Sequence, residues 1–506
     1  MNPYQKLLKK FREVMLIDSV SGILHWDLET YIPPRGVKQR SEQLALLRQL
    51  RHRLITSRKL SELLNQAEKY SIEESLDVTQ KRNIYLIRKE QEEETKLPEE
   101  LVAKIAQQQA ITVTVWKKAK AACDWKRFEP ELEKMLEFSK QRAVILRDVK
   151  DVATPYDALL DEFEPSMTSN QITQIFSQMR TSLIPLVNKC VEASKNVETN
   201  FLHQKIPIGI QQKITTNLVK FIGYDISSNE AGGRIDETEH PFTTGYYNDV
   251  RITLHYYEGN VASVIFATLH EGGHALYEQN INPNWQFQPI GTATSYGIHE
   301  SQSRFIENIV GRSRDFWQYY LPHLNDLTSG IFAKVKLDDF IRAINRVKRS
   351  KIRIEADEVT YSLHIIIRFE IEQALFADKI TVSELPDLWN SKYDEYLGVK
   401  IEHDSEGVMQ DTHWASGLFG YFPSYALGNI YGGQLLAAME NDLPDWRSQI
   451  AAGNIQSIKQ WLIEKVHYNA RLYDPADLIY QITGKQPSSN PFLTYLQNKY
   501  SLLFGF

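Results

Sequence analysis

Phe266-Ala267-Thr268-Leu269-His270-Glu271-Gly272-Gly273-His274-Ala275-Leu276 is the stretch on which the fold and the chemistry both turn. Two histidines four positions apart stand one helical turn from each other, so both imidazoles can point at one ion. Val261, Ile265, Leu269, Gly272 and Leu276 form an apolar or small stripe at helical spacing. The spacing predicts a packed helix with the two histidines beside its buried face. Gly272 and Gly273 each cost about 1 kcal/mol relative to Ala in a helix interior, so close approach by another element or a ligand is expected there. Glu271, directly after the first His, reaches a water bound to the ion. On zinc such a water ionises near pH ~7, and a carboxylate can deprotonate it for attack on a peptide carbonyl. His270 and His274 are therefore candidate metal ligands, and Glu271 is the candidate general base.

A catalytic metal needs a third protein ligand and an open position. Asn280 stands six residues after His274, which removes the variant of the motif that carries a third His there. An acid further along is expected instead. Ile298-His299-Glu300-Ser301-Gln302-Ser303-Arg304-Phe305-Ile306 reads as the next helix, with Ile298, Phe305 and Ile309 as its apolar stripe. Glu278 is too close on the first helix. Glu300 is preferred, with Glu307 as its competitor.

Working outward, residues 226–260 change character: Gly232, Gly233 and Gly245 break the helical pattern, and Arg251-Ile252-Thr253-Leu254-His255-Tyr256-Tyr257 has strand composition. No phosphate-loop pattern follows Gly232-Gly233, so a turn is expected there. Upstream, helix follows helix to about residue 225. Leu97-Pro98-Glu99-Glu100 opens one with Pro and acids at the positive end of the dipole, and Thr168-Ser169-Asn170-Gln171 opens another. After Ala262 helices resume almost to the end. The expected fold is mainly α, with one small antiparallel sheet beside the motif helix.

The chain has 506 residues, 42% hydrophobic and 24% charged, with a net charge of −6, so no global basic field invites nucleic acid or an anionic membrane. No stretch approaches the ~18 apolar residues of a membrane span, and Met1 to Lys6 lack the apolar core of a signal peptide. Cys123 and Cys190 are the only cysteines and sit in no metal-like or CxxC spacing. A cytoplasmic location is the expectation.

Short patterns extend along almost the whole chain: Leu24-His25-Trp26-Asp27-Leu28-Glu29-Thr30, His240-Pro241-Phe242, Asp249-Val250-Arg251-Ile252-Thr253, the His270–His274 motif, and His299-Glu300-Ser301-Gln302. They continue with Ile352-Arg353-Ile354-Glu355-Ala356-Asp357 and Gly407-Val408-Met409-Gln410-Asp411-Thr412-His413-Trp414. In this content and order the chain resembles the thermostable carboxypeptidases of the carboxypeptidase Taq type. The resemblance implies a metal-dependent enzyme that removes C-terminal residues one at a time. It also implies a large helical bundle with a deep active-site groove, and a homodimer. By the same resemblance Glu300 becomes the third ligand. Residues 1–506 are then one domain, with 1–225 walling the groove and 226–506 carrying the catalytic half. One divalent ion per chain is expected, zinc first, with cobalt or manganese as alternatives.

An enzyme that cuts only the last residue must read a free α-carboxylate, and a guanidinium fork matches its two oxygens. Arg353 is the first candidate, with Asp357 as the ion-pair partner of a merely structural role; Arg251 is the second, with Asp249 in that position. His413 is a candidate donor to the oxyanion, positioned by Trp414 and Asp411. Tyr421 and Tyr425 offer phenolic donors. His299, Asp249, Gln302 and Asp411 are expected to support the site from behind. No acidic or basic specificity pocket is evident, so broad C-terminal specificity is expected. The main alternative is an oligopeptidase cutting internal bonds, which has no use for a carboxylate-reading Arg. A non-catalytic zinc staple has no use for Glu271.

Overall fold

A computed structural model describes residues 1–506. Its twenty α-helices enclose a single three-stranded sheet. The helix starts read from sequence are present. Pro98 precedes the helix Glu99–Ala122, and Thr168 caps Ser169–Ser194 in a reciprocal box with Gln171.

The sheet comprises β1 (Gly233–Glu237), β2 (Thr243–Tyr246) and β3 (Asp249–Leu254), in the order β1-β3-β2. β2 and β3 form a hairpin with the expected antiparallel pairing, Thr243 opposite Ile252 and Tyr246 opposite Asp249. β1 corrects the expectation of a purely antiparallel sheet, because it lies parallel to β3, with Ile235 beside Ile252. The hairpin places β3 in the centre, and β1 fills the remaining side of it. Val250, Ile252 and Leu254 of β3 are fully buried.

The N-terminal helix Pro3–Thr30 packs across this sheet. Trp26 lies under the guanidinium groups of both Arg234 and Arg251, and the Tyr31 hydroxyl donates to Asp236 at 2.6 Å. The main core is one continuous cluster from Ala119 to Tyr500. A smaller cluster, from Tyr4 to Ile87, sits beneath the first helices.

The motif helix, Val261–Gln279, is capped by the Asn260 side chain and packs on β3, on the helix Ile208–Ile222 and on the helix Tyr296–Arg304. Every member of its predicted stripe is buried. Both motif glycines are explained by close approach. A Cβ on Gly272 would lie 2.3 Å from Ile222 Cδ1, and one on Gly273 would lie 2.5 Å from the Gln302 carbonyl oxygen. The second contact fixes how near Glu300 comes to the two histidines.

Candidate metal centre

His270 and His274 project from one face of the motif helix, ring centroids 4.9 Å apart and planes nearly perpendicular. The helix Tyr296–Arg304 brings Glu300 opposite them. Its Oε2 lies 3.7 Å from His270 Nε2 and 3.4 Å from His274 Nε2. The helix Pro423–Asp442 backs Glu300 so closely that a Cβ on Gly428 would stand 2.6 Å from its Cγ.

The donor set fits a divalent cation. A tetrahedral site with bonds near ~2.1 Å has edges of about 3.4 Å, which matches the two nitrogen–oxygen separations. Burial pushes His274 down to about 3, with His299 adding to the effect, so its imidazole is neutral and its lone pair is free. Burial opposes ionisation of Glu300, yet Arg304 and the imidazoles override it and hold the carboxyl well below the usual range. His270 moves the other way: burial lowers it, but the Glu300 and Glu307 carboxylates prevail. A potential that holds a proton on His270 also favours a metal cation.

Glu307, the sequence competitor, stands behind the site and not in it. Its Oε2 meets His270 Nδ1 at 2.9 Å, which leaves Nε2 facing Glu300. Arg304 ties the two acids together, with Nε to Glu300 Oε1 at 2.7 Å and an Nη to Glu307 Oε2 at 3.1 Å. His299 stacks on His274 at 4.4 Å and meets Glu278 at 2.9 Å. Gln302 was expected to support the cluster through its side chain, but its amide turns away to His467 at 3.0 Å. It is the Gln302 backbone that touches the motif helix, at Gly273.

Glu271 is buried, and one oxygen accepts a 2.6 Å hydrogen bond from the Thr243 hydroxyl on β2. Burial raises its pKa above the ordinary carboxyl value, with His270 and Thr243 opposing. The carboxyl is thereby moved toward the range useful to a general base.

Arg353 is 6% exposed. Its sequence-neighbour partner Asp357 is engaged elsewhere, accepting the backbone N–H groups of Lys348, Val359 and Thr360. Arg353 binds Asp411 Oδ1 through Nε and Nη2 at 3.1 and 2.9 Å, and Tyr361 through Nη1 at 3.0 Å. Arg368 takes Asp411 Oδ2 at 2.8 and 2.6 Å. Two guanidiniums share one carboxylate, so a positive charge remains uncompensated. The ring of Tyr361 lies under Arg304 at 4.5 Å, which links this cationic pair to the Glu300 side of the centre.

Asp411 therefore does not orient His413, and Trp414 turns away as well, donating to Glu372 at 2.7 Å. His413 instead rests on Phe422 at 4.4 Å and beside Tyr421 at 5.3 Å, with Nε2 3.4 Å from the Tyr425 hydroxyl. Burial drives His413 down to about 3, the two arginines reinforcing and Asp411 opposing, so the ring is neutral. Arg251 is held by Asp249 at 2.7 and 2.9 Å and stacked on Trp26. Sequence reasoning missed Thr243 and Arg368, whose partners are distant in the chain, and Tyr361, which meets the nearby Arg353. It also passed over Arg304, although its spacing from Glu300 and Glu307 was a readable signal.

A family model for the carboxypeptidase Taq (M32) metallopeptidases matches residues 6–500. Carboxypeptidase 1 of Bacillus subtilis is 41% identical over 96% of this chain and 95% of its own. Thermostable carboxypeptidase 1 of Thermus thermophilus is 37% identical over 99% of each chain. The crystal structure of the M32 carboxypeptidase of Deinococcus radiodurans covers 100% of both chains at 34% identity, with a TM-score of 0.95. With a family model matching residues 6–500 and relatives and fold in agreement over nearly the whole chain, the chain belongs to the carboxypeptidase Taq (M32) family of metallopeptidases.

Proposed function

We propose that this metallocarboxypeptidase releases C-terminal residues singly from peptides, with His270, His274 and Glu300 holding one divalent ion and Glu271 as general base. The observation that carries the reading is the meeting of two imidazoles and one ionised carboxylate beside a buried, pKa-raised Glu271. Zinc suits the two nitrogen and one oxygen donors, with cobalt or manganese as alternatives. Bound there, the cation would supply Lewis-acid activation of the scissile carbonyl and of the attacking water.

The chain's own residues do the rest. Thr243 holds one Glu271 oxygen, and the other takes the proton of the water as its oxygen bonds to the carbonyl carbon. Glu271 then returns that proton to the leaving amine nitrogen as the C–N bond breaks. Glu307 fixes the ring of His270 through Nδ1. His413 and the phenols of Tyr425 and Tyr421 supply hydrogen bonds where negative charge develops on the carbonyl oxygen. Arg353, with charge to spare after sharing Asp411 with Arg368, reads the substrate α-carboxylate. Arg251, locked to Asp249, has a positioning role at the sheet. Specificity for the released side chain is broad.

Two unpaired thiols, Cys123 and Cys190, suit a reducing cytoplasm, and no helix is long and apolar enough to cross a membrane. The enzyme works as a homodimer on peptides rather than folded proteins, as its family likeness suggests.

A mass-spectrometric time course on one peptide, as free acid and as C-terminal amide, tests the reading. The free acid should lose single residues from its C-terminus and the amide should persist, and Arg353→Gln should erase that difference. Equal internal cleavage of both forms would make the enzyme an oligopeptidase and remove Arg353 as the anchor.

A further inference from the structure

A cavity of about 540 Å³ opens between the N-terminal helix, the sheet and the loop that carries Arg471. It meets β2 at Thr244, Gly245 and Tyr246, immediately along the strand from the Thr243 that holds Glu271. Arg353 does not line it, so it is not the pocket of the substrate carboxylate. None of His270, Glu271, His274 and Glu300 lines it either, so it lies beside the metal centre and not in it.

The wall is crowded with charge, and nearly all of it is spoken for. Arg51 is held by Asp18 and Glu90. Lys89 and Lys150 share Asp161 at 2.7 and 2.9 Å, and Lys150 also meets Glu93. Arg142 holds Glu162, and Asp249 is committed to Arg251. Every acid of the wall thus has a cation, and four of the five cations have an acid. Arg471 alone among the cations of the wall forms no salt bridge, although its charge acts on Glu90 across the cavity.

The backbone around Arg471 is built to hold it there. Its N–H donates to the Ile290 carbonyl at 3.2 Å, and its carbonyl accepts from Arg82 Nε at 2.9 Å. The preceding Ala470 sits at φ 39° and ψ −122°, a conformation suited to glycine and strained for alanine. Its carbonyl is tied to the Thr294 hydroxyl. Thr294 in turn precedes Tyr296, whose ring meets Tyr421 beside His413 at 5.3 Å. A strained, anchored loop thus presents one free guanidinium to a cavity continuous with the strand beside the general base.

We infer that Arg471 is a specificity residue that pairs with an acidic side chain of the peptide upstream of the scissile bond. The inference rests on the proposed centre at His270, His274, Glu300 and Glu271, because that centre sets the direction of the bound peptide. A charge-assisted pair in a partly enclosed site is strong enough to favour Glu over its neutral isostere Gln by about tenfold.

Acetylated alanine hexapeptides carrying Glu, Gln or Lys at one of the four positions before the last residue provide the test. At one of those positions kcat/KM for Glu should exceed that for Gln by about tenfold in the wild-type enzyme. The ratio should fall to about one in Arg471→Gln, recover in Arg471→Lys, and turn to favour Lys in Arg471→Glu. Each ratio compares two peptides on one protein sample, so partial loss of folded enzyme cancels. A wild-type ratio near one at all four positions, or a preference for Glu that survives Arg471→Gln, would overturn the inference while leaving the metal centre intact. Undiminished turnover in Glu271→Gln would instead remove the centre on which the peptide direction depends.

Discussion

Glu300, Arg304 and Glu307 lie four and then three residues apart, so they share a helical face. That spacing is why sequence reasoning alone kept both acids in play as the third ligand. Separating them requires knowing which imidazole nitrogen each one meets, and this depends on the approach of two helices. In the structure Glu300 faces both Nε2 atoms and Glu307 takes His270 Nδ1 from behind. Burial works against Glu307 ionising, but Arg304 chiefly overcomes it and holds the carboxyl down at about 2. Glu307 is therefore an acceptor that fixes the tautomer and rotation of His270. Glu307→Gln should weaken metal affinity about 10- to 100-fold, read by competition with a chromophoric chelator, while kcat at saturating metal changes much less. Unchanged affinity would reduce Glu307 to a packing role.

The motif helix was legible because its period and its two glycines were both local signals. The glycines also show which force decides at this scale. In an isolated helix Gly273→Ala would gain about 1 kcal/mol, but here the new methyl meets the Gln302 carbonyl, a backbone atom with little room to move. Overpacking of this kind costs about 1–3 kcal/mol, so Gly273→Ala should lower the unfolding midpoint and weaken metal binding by pushing Glu300 away. Gly432→Ala is the contrasting case, because its Cβ finds only ordinary contacts, at 3.8 Å from the Ser301 carbonyl and 3.9 Å from Ile309. That variant should be neutral or slightly stabilised in thermal unfolding; an equal loss in both would contradict the close-approach argument. The sheet was less legible. The strand composition of Arg251 to Tyr257 located β3, which spans Asp249–Leu254, but no local signal marked the turn at residues 247 and 248 that pairs it with β2. The parallel seat of β1 is set by neighbours that no local pattern records. Thr243 and Arg368 escaped for the same reason, since each acquires its role from a residue on another element.

Across the whole molecule, two carboxyls outside the metal centre join separate parts of the fold. Glu164 accepts from Ser295, the Gly297 N–H and Tyr431, and Glu372 accepts from Trp414, the Gly420 N–H and Tyr156. Burial lifts each from 4.5 to about 7 against those hydrogen bonds. Between the two values the folded protein keeps protons that the unfolded chain has released. The stabilising contribution is therefore complete below pH ~4.5 and declines as pH rises to ~7, by roughly 3 kcal/mol for each carboxyl. A Glu164→Gln, Glu372→Gln double variant should show a flatter dependence of unfolding midpoint on pH over that range than the wild type; parallel curves would contradict these assignments. At this scale the mainly helical architecture was readable from the long periodic stretches. The cavity presenting Arg471 was not, because its walls come from opposite ends of the chain.

In the proposed mechanism Glu271 moves a proton at a centre that His270, His274 and Glu300 would build without it. Metal content and peptide turnover measured side by side in Glu271→Gln test this most directly. One divalent ion per chain with kcat reduced by about 10³-fold is the predicted result. Turnover near the wild-type level, or an enzyme that no longer retains the ion, would contradict it.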